Sequence, residues 1–294
     1  MPTTTGRRTT EIPTRLLVLG MTHESGTIDA AELYAVAEAC GQTADQVRSC
    51  LRRLVADGLF VRKGSGATAK FEATPAGLSA LGSTIERTRL AYAQDMAGRG
   101  WDRQWRLVAF AVPESRRPAR DAFRDRLLAL GGAAVQGGLY VSPHPWHKDV
   151  QAEADRLGLS ELVAVATTDD LQIGGERDPR ELVRRLWPIE ELARRYTTFV
   201  DHHSHVLDSL AEMREQHRRL PDTVFLPGAL AMGVAFQECF GDDPLLPPEL
   251  LPRPWPGRAA RDLLVRSRRL ALAIRQGPRP SLFRLFDEAI EAIA

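Results

Sequence analysis

Cysteine is scarce in this chain: Cys40, Cys50 and Cys239 are the only three, and none forms a CxxC pair. An odd count without metal-ligand spacing argues against a disulfide scaffold or a zinc ribbon. Lysine is equally rare, with only Lys63, Lys70 and Lys148, so the positive charge is almost wholly arginine. Net charge is only +1 and the pI is near 7.8. A whole-chain basic signature is therefore absent, and any nucleic-acid footprint must be local. The N-terminus, MPTTTGRRTTEIP, lacks an apolar signal core. No apolar run approaches the roughly 18 residues that a membrane span requires. A cytoplasmic chain with no membrane partner is expected. At 294 residues, 44% hydrophobic and 26% charged, the chain is globular and long enough for two or three domains.

The most informative stretch is Thr43 to Lys70, TADQVRSCLRRLVADGLFVRKGSGATAK. Thr43 stands where a helix N-cap belongs, just after the helix-stopping Gly41. Val47, Leu51, Leu54 and Val55 recur at helical spacing and make one apolar face. Gln46, Arg48, Ser49, Arg52 and Arg53 fall mainly elsewhere. Asp57-Gly58 ends the helix, and Leu59-Phe60-Val61 starts a strand. Arg62-Lys63-Gly64-Ser65-Gly66 makes a turn, from which Ala69-Lys70-Phe71-Glu72 returns. Two helices precede this unit, one opened by Pro13 with Leu16, Leu17, Leu19 and Gly20 as its packing face, the next capped by Asp29. Helix, helix, basic helix and basic hairpin spell a winged helix-turn-helix, which sets a helix into a DNA major groove. Glutamine reads adenine; arginine reads guanine or holds phosphate. The expected DNA contacts are Thr43, Gln46, Arg48, Ser49, Arg52, Arg53, Arg62, Lys63 and Lys70. An ordinary solvated basic face is the alternative.

Further along, Thr74-Pro75 caps a helix with Leu78, Leu81, Ile85 and Leu90 inward, running toward a boundary at Gly98-Arg99-Gly100. Strand Trp105 to Val112 follows, then helix Arg116 to Leu130 with Phe123, Leu127, Leu128 and Leu130 inward. Strands Ala133 to Gln136 and Leu139 to Ser142 are joined at Gly137-Gly138. Helix Trp146 to Leu157 and strand Leu162 to Thr167 complete a ferredoxin-like order. From Asp178 onward the pattern is mostly helical: a helix capped by Asp178-Pro179, one from Ile189 past Leu210, Val224 to Phe240, Gly257 to Gln276, and a last short one from Ser281 to Ala292. The expected fold class is α+β, with residues 1–97 a winged-helix domain and linker helix, 98–175 a ferredoxin-like domain, and 176–294 a helical domain for dimerisation and effector binding. Residues 1 to about 10 are expected to be mobile.

The string WDRQWRLVAFAVPESRRPARDAFRDRLLALGGAAVQGGLYVSP resembles the hallmark stretch of the PaaX-like family, the phenylacetate-degradation repressors. There a Trp-rich strand leads into VPE, an Arg-rich helix, a Gly-rich turn and GLWVSP; here Tyr140 replaces the usual tryptophan. RELVRRLWPIEELARRYTTFV and LPPELLPRPWPGRAARDLL also look like the family's C-terminal blocks. The resemblance covers nearly the whole chain. It implies a non-enzymatic homodimeric repressor that binds palindromic promoter DNA and releases it when an effector binds, an acyl-coenzyme A such as phenylacetyl-coenzyme A, with no cofactor. It also implies a central domain similar to that of CRISPR spacer-acquisition nucleases.

The expected effector contacts are Trp105, Arg106, Trp187, Arg195 and His202. Arg106, Arg116, Arg117 and Arg120 suit the phosphates of an acyl-coenzyme A, or equally a solvated, salt-bridged helix with Asp121 and Asp125. Asp201-His202-His203-Ser204-His205 is a local anomaly. His202 and His205, three apart, are candidate metal ligands with Asp201 or Asp208, against a polar helix face. Pro143-His144-Pro145-Trp146-His147 suits a structural cap better than a general base. Cys50 reads as a small core or seam residue. Two rivals remain: a metal-dependent nucleic-acid-processing enzyme using Asp169-Asp170, and a winged-helix adaptor that binds protein.

Overall fold

The computed structural model describes residues 14–98, 100–277 and 282–286. The Thr- and Arg-rich start, Arg99 and most of the expected last helix lie outside them. Helices and sheets are mixed, as an α+β chain requires. The described residues form two compact units, one drawn from within 1–89, 202–238 and 262–294, the other from within 90–201 and 239–261.

In the first unit, α1 (Thr14–Gly20), β1 (Thr27–Asp29), α2 (Ala30–Ala39) and α3 (Ala44–Ala56) precede β2 (Phe60–Lys63) and β3 (Lys70–Ala73). The strands form an antiparallel sheet in the order β1-β3-β2. Asp29 ends β1 and caps α2, its carboxylate accepting from the amides of Ala31 and Glu32. Leu17, Val18, Ile28, Leu33, Val36, Val47, Leu51, Leu54 and Phe60 share one buried core. Val55 was expected on that face but is exposed; Cys50 takes the place, completing the i, i+3, i+4, i+7 stripe of Val47, Cys50, Leu51 and Leu54. Helix α4 (Pro75–Ala97) corrects a second expectation. Leu78 is 50% and Leu90 40% exposed, while Leu81 packs on the core.

The second unit holds a four-stranded antiparallel sheet of β4 (Trp105–Phe110), β5 (Ala133–Gln136), β6 (Leu139–Ser142) and β7 (Val163–Thr168), in the order β5-β6-β4-β7. Helices α5 (Arg117–Ala129) and α6 (His147–Arg156) connect them in sequence. Phe123, Leu127, Val150 and Ala154 bury against Val108 and Tyr140, but Leu128, expected inward, is 46% exposed. The next helix, α7 (Pro179–Leu186), is capped by Asp178; its Leu182 and Val183 join Trp105, Val141 and Trp187 in a separate cluster.

Helices α8 (Ile189–Glu215), α9 (Asp222–Phe240) and α10 (Pro256–Ile274) each contribute residues to both units, as α4 does. In the second unit Arg261 is buried and paired with both carboxylate oxygens of Asp95, at 2.5 and 2.8 Å. Nearby, the Tyr196 hydroxyl donates to Asp243 at 2.7 Å. Leu220-Pro221, expected only as a break, forms β8, paired in parallel with β9 (Arg275–Gln276). The ion pair of Arg275 with Asp222, 2.6 Å, closes this clasp. Against the sequence expectation, Asp222–Phe240 is long and apolar enough by length and composition to cross a membrane. Its Phe225, Leu226, Leu230 and Val234 instead line the first unit's core.

The Gly137-Gly138 turn lies where β5 and β6 meet. Gly138 has φ +78°, and a Cβ there would stand 2.4 Å from the Phe110 carbonyl oxygen. Both the conformation and the clash oppose a side chain. Gly138→Ala should therefore destabilise the chain by about 1–3 kcal/mol, read as a lowered thermal midpoint, whereas Gly137→Ala, with open space around it, should move it far less.

Candidate nucleic-acid interface

Helix α3 starts with a full capping box. The Thr43 hydroxyl accepts from the Gln46 amide at 3.3 Å, and the Gln46 side-chain oxygen accepts from the Thr43 amide at 2.8 Å. Two orphan donors of the first turn are thereby satisfied. Asp45 adds a negative charge at the positive end of the helix dipole. Gly58, at φ +70°, ends the helix and turns the chain into β2.

With Val47, Cys50, Leu51 and Leu54 buried, the opposite side is fixed outward. Gln46, Arg48, Arg52 and Arg53 are exposed and Ser49 is half-buried. Arg48 is paired with Asp45 one turn back, which holds its guanidinium even more firmly in the charged form. Arg52 and Arg53 have no ion-pair partner among the described residues. Reading adenine requires both ends of the Gln46 amide, yet its oxygen already serves the capping box. Base contact by Gln46 therefore competes with the helix start.

The hairpin adds a second cationic group. In the register of β2 with β3, Lys63 stands directly opposite Lys70, and Arg62 is one residue away. All three are exposed. Like charges facing across a hairpin are unfavourable, and Glu72, 3.9 Å from Lys63, acts against that repulsion. The sequence shows both lysines, but the register that brings them together comes from the hairpin.

Burial makes two cysteines chemically quiet. Desolvation pushes the Cys40 thiol up to about 11 and raises that of Cys50 as well. Neither is poised as a thiolate near neutral pH.

Among the expected effector residues, Trp105 and Trp187 are brought together. Both are buried and stacked, with ring centroids 6.5 Å apart, and the Trp187 indole N–H donates to the Gly131 carbonyl. Arg106 is tied to Asp102 and to the carbonyls of Gln104 and Pro143. Its guanidinium holds the Asp102 carboxyl below its ordinary range. Arg195 pairs with Asp242 at 3.3 Å. His202 is exposed and belongs to the other unit. Of the other arginines, Arg116 donates to the carbonyls of Leu157 and Gly158, and Arg117 and Arg120 pair with Glu114 and Asp121.

Arg120, one of the arginines considered for acyl-coenzyme A phosphates, lines an open depression of about 360 Å³ in the second unit together with Phe110, Asp121, Arg124 and Tyr140, beside the Gly137-Gly138 turn; its aromatic lining was not anticipated from the sequence. Phe110 and Tyr140 stack there at 5.5 Å. The cross-strand placement of these rings was hidden until the strands were paired. His202 and His205 are both exposed, and among the described residues no group of three or more histidine, cysteine or acidic side chains gathers as a metal site. Asp170, from the Asp169-Asp170 pair, is held through both oxygens by Arg177 at 3.0 Å.

Residues 98–183 match the model of the PaaX protein central Cas2-like domain, and residues 187–274 that of the PaaX-like protein C-terminal domain. The transcriptional repressor PaaX of Escherichia coli (strain K12) is 24% identical over 245 residues, spanning 83% of this chain and 74% of that protein. Among solved structures, the uncharacterized protein Rv0674 of Mycobacterium tuberculosis is similar with a TM-score of 0.48 and 20% identity, over 94% of this chain and 95% of that one.

The capping box makes a separate prediction. Thr43→Ala removes the cap and should cost about 1 kcal/mol, seen as a lower thermal midpoint. Thr43→Ser should keep most of the wild-type value.

Proposed function

The chain belongs to the PaaX-like family of transcriptional regulators, and from that premise we propose that it is a ligand-responsive repressor that binds palindromic promoter DNA as a homodimer. Residues 14–73 are read as a winged helix-turn-helix. The order helix, strand, helix, helix, strand, strand supports this, as does the β1-β3-β2 sheet. Residues 98–175 are read as a ferredoxin-like domain, supported by strand, helix, strand, strand, helix, strand and the order β5-β6-β4-β7. Residues 176–294 are taken as the helical part of dimer and effector machinery, with the chain acting in the cytoplasm.

One observation carries the DNA reading. Arg52 and Arg53 project from α3, and Arg62, Lys63 and Lys70 from the hairpin, with Lys63 and Lys70 facing each other. In this reading α3 enters the major groove, where Arg52 and Arg53 meet base edges or phosphates, and Thr43, Gln46, Arg48 and Ser49 line its start. Arg62, Lys63 and Lys70 hold backbone phosphates, which position the protein without reading sequence.

The proposed effector is an aromatic acyl-coenzyme A such as phenylacetyl-coenzyme A. The depression beside Phe110 and Tyr140 supports an aromatic head, with an anionic group of the effector taking the place of Glu114 on Arg120 or of Asp125 on Arg124. Trp105, Arg106, Trp187, Arg195 and His202 remain candidate contacts in other places. The effector relieves repression only by binding the DNA-incompetent form more tightly.

Arg52→Ala should weaken operator binding selectively, by about 1–3 kcal/mol where it makes a good bidentate base contact. Lys63→Ala and Lys70→Ala should weaken operator and random duplex alike and reduce the salt slope by about 1 each. Salt-titrated anisotropy with both duplexes reads this. Equal losses on both duplexes for all three variants would contradict the division of labour. Isothermal titration with phenylacetyl-coenzyme A tests the effector: absence of heat, together with binding of a free acid, would remove that assignment.

A further inference from the structure

Strand β7 is an edge of the four-stranded sheet, and its four central residues, Ala164, Val165, Ala166 and Thr167, are all exposed. An edge strand presents a row of free amides and carbonyls, and proteins normally protect such edges with charge, proline or a bulge. Val163–Thr168 has no charged residue and no proline, and its register with β4 is continuous over all six residues. The opposite edge, β5, is treated differently: its register shifts between Ala134 and Gln136, and Ala133 is buried.

The hydrogen-bond phase identifies which groups are free. The Ala111 amide donates to the Leu162 carbonyl, and the Phe110 amide donates the other way, to Gly138 beside β6. Bonding alternates along an antiparallel pair. Ala164, Ala166 and Thr168 therefore bond to β4, while Val163, Val165 and Thr167 direct N–H and C=O away from the sheet. Only another extended strand matches that row.

We propose that the outer edge of β7 is the homodimer interface, where it pairs antiparallel with β7 of a second copy. This rests on the homodimer reading above and names the surface that would carry it. Two-fold pairing centred on Val165 sets Val165 against its own symmetry mate, Ala164 against Ala166, and Val163 against Thr167. Every facing pair within the strand is uncharged, so the edge is compatible with itself. A charged strand pairing with its own copy would set like charges together. Glu161 and Asp169 meet only past the strand ends, where both are exposed; their repulsion limits the ladder to β7 and makes added salt strengthen the dimer.

The test is the solution mass of the full chain by light scattering, against a monomer mass of 32.5 kDa. Wild type should be a dimer. Val165→Pro removes an outward amide and leaves the bonds to β4 in place, so it should halve the mass with an unchanged circular dichroism spectrum. Should that variant misfold, Val165→Lys and Val165→Glu give an independent reading. Each alone should be monomeric, and an equimolar mixture should recover the dimer, because residue 165 faces itself. Dimers that persist in folded Val165→Pro, or in both charged variants, would overturn this interface while leaving the homodimer reading intact. A monomeric wild type would overturn both. A monomer with slow hydrogen exchange at Val165 and Thr167 would mean that another segment of the same chain covers the edge.

Discussion

The apolar stripe of Val47, Cys50, Leu51 and Leu54 sets the direction of everything else on α3. Because that stripe is held in the core of the first unit, Arg52 and Arg53 have no direction left but outward. A helix with the same charges and no such anchor would rotate or fray, and its cations would find local carboxylates. The capping box fixes where the helix begins, and Gly58 fixes where the hairpin starts. The outward positions of Arg52 and Arg53 thus follow from uncharged contacts.

Arginine is held differently around α5 than on α3 and its hairpin. Around α5, Arg106, Arg116, Arg117, Arg120 and Arg124 are each tied to a carboxylate or a backbone carbonyl. Most of these pairs are exposed and contribute little to stability, but they leave little net charge to attract a polyanion. On α3 and the hairpin, by contrast, Arg52, Arg53, Arg62 and Lys70 carry charge without an ion-pair partner among the described residues. This difference reconciles a near-neutral chain with a local cationic surface. It also favours the hairpin and α3 over the α5 arginines as the place where phosphates are held.

Much of this was legible from local signals. Thr43, the helical spacing after it and Gly58 located α3, and Gly137-Gly138 located β5 and β6. What escaped was set by distant partners. Strand β1 is three residues long and exists through pairing with β3, more than forty residues away. Strands β8 and β9 are two residues each and define one another. Val55, Leu78, Leu90 and Leu128 show a different failure: an apolar residue beside a helical stripe fits the period loosely, and only packing decides whether it is covered. Gln46 could have been read more fully, because Thr43-x-x-Gln46 is itself a capping-box pattern. The facing lysines of the hairpin and the aromatic depression both needed cross-strand register, which no single segment supplies. The helical C-terminal sequence also gave no sign that its residues divide between two compact units.

The most direct measurement of the central claim is fluorescence anisotropy of the full chain with its own upstream intergenic DNA, using random duplex as competitor at two salt concentrations. The account predicts tight binding that survives excess random duplex at the higher salt. Equal and strongly salt-sensitive binding to both duplexes would mean that the cations of α3 and the hairpin only attract phosphate, and it would contradict sequence recognition on that DNA.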